Sequence, residues 1–177
     1  HVNGAARAAL VESLDACDLL LLATPLYFDG LPSHVLHFLE EVRDHRRRFP
    51  LAPSLAFAAI LNCGTPDAHQ ADSALQMCAL AARDARLGWR GGLAFGEGDA
   101  IGGRELASVG DRGYAAAMDA AADALARDAL IPAEAAALAA RPLIPEGRYT
   151  LLGNAGWLVT ARRNKALLRL RDRPYQE

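Results

Sequence analysis

The strongest constraint on this chain is a pattern that occurs three times: a short apolar run, a polar or glycine-containing loop, then a helical repeat. Leu19–Ala23 runs into Thr24, Pro25, Leu26, Tyr27, Phe28, Asp29 and Gly30. Leu55–Leu61 runs into Asn62, Cys63, Gly64, Thr65 and Pro66, and Trp89–Phe95 runs into Gly96, Glu97, Gly98 and Asp99. Short apolar runs bounded by turn signals read as strands buried on both faces, the kind found in parallel sheets. Strand, loop and helix in that order, three times, predict right-handed βαβ crossovers. The three loops then meet at the carboxyl edge of one sheet, where open α/β folds bind ligands.

The helical stretches support this order. Leu31, Val35, Phe38, Leu39 and Val42 keep one face after Pro32, which suits a first helical turn. Leu75, Cys78, Ala79 and Ala82 do the same within 67–87, as do Tyr114, Met118, Ala121 and Leu125 within 111–128. Ala8, Val11 and Leu14 give a short helical pattern before the first strand. These stripes are core, and no chemistry is assigned to them. The prolines at 132, 142 and 145 make that stretch a connection rather than part of the sheet.

A length of 177 residues suits one domain of ordinary size, with 52% hydrophobic and 23% charged residues. The net charge of −2 provides no basic field for nucleic acid. Cys17, Cys63 and Cys78 have no CxxC spacing and the histidines form no HxxxH or HExxH pattern, so no metal site is expected. Well-separated cysteines, no apolar run of membrane-spanning length and no signal peptide point to the cytoplasm. The expected division is an α/β domain over 1–130 and a C-terminal extension over 131–177.

Adjacent aromatics on an exposed loop suggest that Tyr27 and Phe28 form a binding surface, with a subunit contact as the plainer reading. Gly64 lets a backbone approach a ligand closely. Cys63 has no neighbouring cation in sequence to lower its pKa and reads as a spectator thiol. Gly96–Gly103 departs from GxGxxG at Ile101 and reads as a flexible loop, with Glu97 and Asp99 solvated. Arg46, Arg47 and Arg48 read as a solvated helix end. The segment 157–173 mixes leucines with arginines; packing on the domain or on a partner subunit is favoured over a membrane surface, since stable anchoring takes two signals.

Ala16–Phe28, Leu61–Asp67 and Gly88–Gly98, together with Pro142–Pro145, Gly153–Trp157 and Arg173–Tyr175, resemble the flavodoxin-like NAD(P)H-dependent FMN reductases. The resemblance covers the chain from about Leu10 onward. It implies a three-layer α/β/α sandwich, flavodoxin-like, with a five-stranded parallel sheet in the order 2-1-3-4-5 and FMN at the switch point. It implies that Thr24, Pro25, Leu26, Tyr27 and Phe28 line the isoalloxazine ring and that Asn62, Cys63, Gly64 and Thr65 form the second ring-contacting loop. It also implies FMN and NAD(P)H as cofactors, a small-molecule electron acceptor and a homodimer, with no catalytic side chain beyond the cofactor.

His37, Glu40 and Glu41 stand where the family carries a lysine and an Asp-Arg pair. Nothing before Asp18 supplies the family's phosphate loop. The expectation is therefore that the natural protein carries about 60 to 90 further residues, since a βαβ unit needs ~30. On this reading Leu19–Ala23 is an exposed apolar edge in the present chain. The alternatives are a flavodoxin-type electron carrier, a non-enzymatic module on the same fold, or a fragment inactive for want of the phosphate loop.

Overall fold

The three apolar runs form the three strands of a parallel sheet in this computed structural model, which describes residues 4–49, 54–98, 105, 108 and 113–172. They are β1 (Leu19–Pro25), β2 (Ala56–Asn62) and β3 (Gly88–Phe95), in the order β1-β2-β3. Leu19 pairs with Ala56 and Pro25 with Asn62, so β1 and β2 end level with each other. Between β2 and β3 the register slips: Phe57 faces Trp89, but Ala59 faces Gly92. The extra residue is absorbed at Gly91, whose φ of 99° is readily reached only without a Cβ.

Helix α1 (Gly4–Ser13) precedes β1, α2 (Ser33–Arg48) joins β1 to β2, and α3 (Asp72–Asp84) joins β2 to β3. After β3 come α4 (Gly113–Ala126), α5 (Ala133–Ala139) and α6 (Glu146–Arg163). Strand alternation divides the core in two. Phe57, Ala59 and Leu61 point to one face and pack with Val35, Leu39 and Val42 of α2 and Ala74, Cys78 and Ala82 of α3. Leu93, Phe95 and Ile60 point to the other, against Tyr114, Ala117 and Ala121 of α4 and Ala135 and Ala139 of α5. Helices on both faces of a parallel sheet make the expected three-layer α/β/α sandwich, consistent with a flavodoxin-like fold.

Several expectations change. β1 is not buried on both faces: Leu20 and Leu22 pack on the α2/α3 core, but Leu21 is 48% exposed and Ala23 is exposed. β1 lies at the sheet edge among the described residues, so alternation leaves Leu21 and Ala23 on a side without a helix over them. The proline-flanked stretch is not merely a connection, because Pro132 starts α5, its carbonyl accepting from the amides of Ala135 and Ala136. Arg46 is not solvated: it is 6% exposed and lies 3.7 Å from Asp15, whose other oxygen is 2.8 Å from His45 Nε2. These contacts tie the turn after α1 to α2.

The chain divides into two compact units, His1–Leu143 and Ile144–Glu177, so residues 131–143 group with the sheet. In the second unit α6 runs into a short 3-10 turn, Leu167–Arg169. The N-terminal part of the expected 111–128 helix, Asp99 to Gly103 of the loop after β3, and Arg173–Tyr175 lie outside the described residues.

Candidate functional site at the carboxyl edge of the sheet

The loops that follow the three strands are bonded to one another by backbone groups. Leu26 N donates to Asn62 O at 2.7 Å, and Cys63 N donates to Phe95 O at 2.9 Å. Glu97 N donates to Thr65 O at 2.8 Å, and Gly98 N donates to Cys63 O at 2.9 Å. Each strand end therefore continues its pairing one step past the sheet. The result is a stiff rim rather than three independent loops.

Two glycines make this close approach possible. A Cβ on Gly96 would lie 2.7 Å from the carbonyl oxygens of Thr65 and Pro66, and one on Gly98 would strike the side-chain amide of Asn62. Asn62 is thus held by β3's loop as well as by β2. Cys63 is 4% exposed, and its sulfur lies 3.5 Å from the carbonyl oxygens of Thr65 and Asp67 and 3.6 Å from Thr65 Oγ1. Thr65 Oγ1 also donates to Gln70 Oε1 at 2.9 Å. Gly64 is exposed at the tip.

The β1 loop behaves differently. Thr24 is buried and Leu26 half-buried, whereas Pro25 is exposed. Tyr27 and Gly30 exchange two backbone hydrogen bonds, 2.9 and 3.1 Å long, closing a two-residue turn. Its central residues are Phe28 and Asp29, with φ of 47° and 62°. Two positive φ values are the signature of a type I′ turn, which favours Asn and Gly and disfavours a bulky aromatic. The Phe28 side chain is fully exposed and Tyr27 is 58% exposed. Ser73 Oγ donates to Asp29 O at 2.5 Å, anchoring the turn to α3.

Sequence reasoning misplaced Glu97. Its side chain is fully buried, its φ is 57°, and its carboxylate accepts a hydrogen bond from Leu143 N. Burial of a carboxylate among a β3 loop and the segment after α5 requires such partners. Tyr114, also buried, donates from its hydroxyl to Gly96 O at 3.3 Å. The glycines on both sides of Glu97 were the available signal: they let the backbone fold back and carry the side chain inward.

Thr24–Phe28 and Asn62–Thr65 thus converge at one rim, joined by the Leu26–Asn62 bond. The rim offers exposed aromatic faces beside backbone and amide groups, which suits the ring of a flat heteroaromatic ligand such as a flavin. It does not suit the ligand's phosphate equally. Residues 24–30, 62–67 and 96–98 contain Asp29, Asp67 and Glu97 but no lysine or arginine. Among the described residues, no three His, Cys, Asp or Glu side chains gather to hold a metal ion. No described helix is long and apolar enough to cross a membrane.

The fold and rim define a class of protein: a three-layer α/β sandwich with its candidate site at the carboxyl edge of a parallel sheet. No family model matches the chain, and no curated protein matches it significantly.

Proposed function

We propose that the protein is a cytoplasmic FMN-dependent NAD(P)H oxidoreductase acting on a small-molecule electron acceptor. The observation that carries this reading is the Phe28–Asp29 turn: a phenyl ring held in left-handed backbone and fully exposed at the ligand-binding edge. Such strain persists where the surroundings enforce it and is concentrated at functional sites. Bound FMN would supply the redox chemistry, accepting hydride from the nicotinamide and passing electrons to the acceptor.

The chain's own residues then have limited tasks. Tyr27 and Phe28 provide a stacking wall and keep water from one ring face. Asn62, Gly64 and Thr65 present polar groups to the ring's edge, and Thr24, Pro25 and Leu26 fix the wall's position against β2. Cys63, its sulfur turned to carbonyl oxygens, shapes this loop as a spectator thiol. No side chain is asked to move a proton.

The lack of lysine and arginine in residues 24–30, 62–67 and 96–98 favours a second reading, a flavodoxin-type electron carrier. The exposed carboxylates of Asp29 and Asp67 would repel the phosphates of NAD(P)H. Fluorescence titration of FMN with the full chain, circular dichroism to confirm folding, and an NADPH-oxidation assay separate the readings. Saturable quenching with NADPH oxidation supports the reductase. Saturable quenching without oxidation supports the carrier. A folded chain that leaves FMN fluorescence unchanged overturns both.

A further inference from the structure

The second unit carries an apolar helix face that stays half or more exposed among its described residues. On α6, Leu151, Leu152, Ala155, Leu158 and Val159 recur at helical spacing and form one stripe. Leu151 is 69% exposed, Leu152 62%, and Leu158 and Val159 51% each. Arg148 and Arg162 lie at the two ends of the same stripe, by the same periodicity. The opposite side carries Glu146, Gly153, Trp157 and Thr160, flanked by Thr150 and Asn154, with no lysine or arginine among them. A helix lying in a membrane surface places its charges opposite its apolar face. Here Arg148 and Arg162 share that face and no basic residue stands opposite it, which is the arrangement of a helix meeting a protein surface with acidic groups at its rim.

This chain itself offers such a surface. Residues 144–177 hold seven Lys/Arg and three Asp/Glu, a net +4, so the first 143 residues account for −6 of the chain's total of −2. On α4 the outward residues are Ala116, Asp119, Ala122, Asp123 and Ala126, all exposed, and neighbouring α5 exposes Glu134 and Ala137. Alanines keep this face low, so a leucine stripe can approach the helix backbones closely. The carboxylates stand where arginines at the stripe's ends can reach them.

We propose that α6 of one copy docks by its leucine stripe on the acidic, alanine-surfaced α4/α5 face of a second copy. Exchanged reciprocally, two such arms close a symmetric dimer. The assignment is independent of flavin binding.

Sedimentation of the full chain across a wide concentration range tests it. The expected result is a monomer–dimer equilibrium that weakens with added salt. Leu158→Asp on the arm, and Asp119→Arg with Asp123→Arg on the face, each raise the dimer dissociation constant by roughly tenfold or more. All these positions are exposed, and circular dichroism checks that each variant folds. Adding Arg148→Asp and Arg162→Asp to the face variant restores much of the association, an outcome that simple structural damage would not produce. A parent chain that stays monomeric throughout overturns the proposal, whether its arm packs on its own body or remains free. So does a dimer indifferent to Leu158→Asp, or binding to phosphatidylserine vesicles without self-association.

Discussion

Phe28 is the residue at which stability and function oppose each other most clearly. A non-glycine residue in left-handed backbone costs about 1–2 kcal/mol, and this one buries none of its ring in return. Phe28→Gly is therefore expected to stabilise the fold by about 1 kcal/mol, since glycine adopts that backbone without steric cost. The same change removes half of the aromatic wall. Denaturant unfolding should rise in midpoint while FMN affinity falls, and a loss of both would remove the functional argument for the turn.

Cys78 poses a different residue-scale question, because its thiol lies fully buried on α3 and burial pushes its pKa from an ordinary 9.0 to about 11. In that window the folded protein holds a proton that the unfolded chain has released. Stability attributable to this group is thus complete below about pH 9 and declines as pH rises toward 11. A Cys78→Ala variant lacks that decline. The stability gap between parent and variant should shift by up to about 2–3 kcal/mol over the window. Parallel unfolding curves at both ends would mean that the site admits water.

Among elements, those whose signal was local were legible in the sequence, and those decided by tertiary contact were not. The strands were read to within about one or two residues at each end because apolar runs met abrupt polar stops; α2 and α3 were recognised by apolar positions that recur on one face, but their ends fell several residues from where that pattern put them. Helix α5 escaped notice: seven residues rich in alanine between prolines carry little periodicity, and its burial against α4 and β3 is what fixes it. Arg46 reads as a charge at a helix end, yet the turn after α1 folds over it and supplies Asp15. At the candidate site the converging loops were predictable from strand order. The inward turn of Glu97 was not, because its partners come from residues far along the chain. Positive φ at Phe28 was equally hidden, since nothing in Tyr-Phe-Asp-Gly demands a two-residue turn there.

At the scale of the molecule, both core clusters lie entirely within the first 143 residues, up to the Leu143 amide that Glu97 holds. The second unit buries only Ala161 among its described apolar residues, too little to fold as an independent domain. Removing residues 144–177 should therefore leave the sheet unit folded, with one cooperative transition by circular dichroism. What it should lose is any dependence of the melting temperature on protein concentration, since mass action stabilises a chain only through a partner that its folded form binds. Melting curves of the full and shortened chains, each at low and high concentration, read both effects together. If the shortened chain fails to fold, the second unit belongs to the core. If both forms melt independently of concentration, the arm does not join two copies, and the leucines of α6 require another explanation.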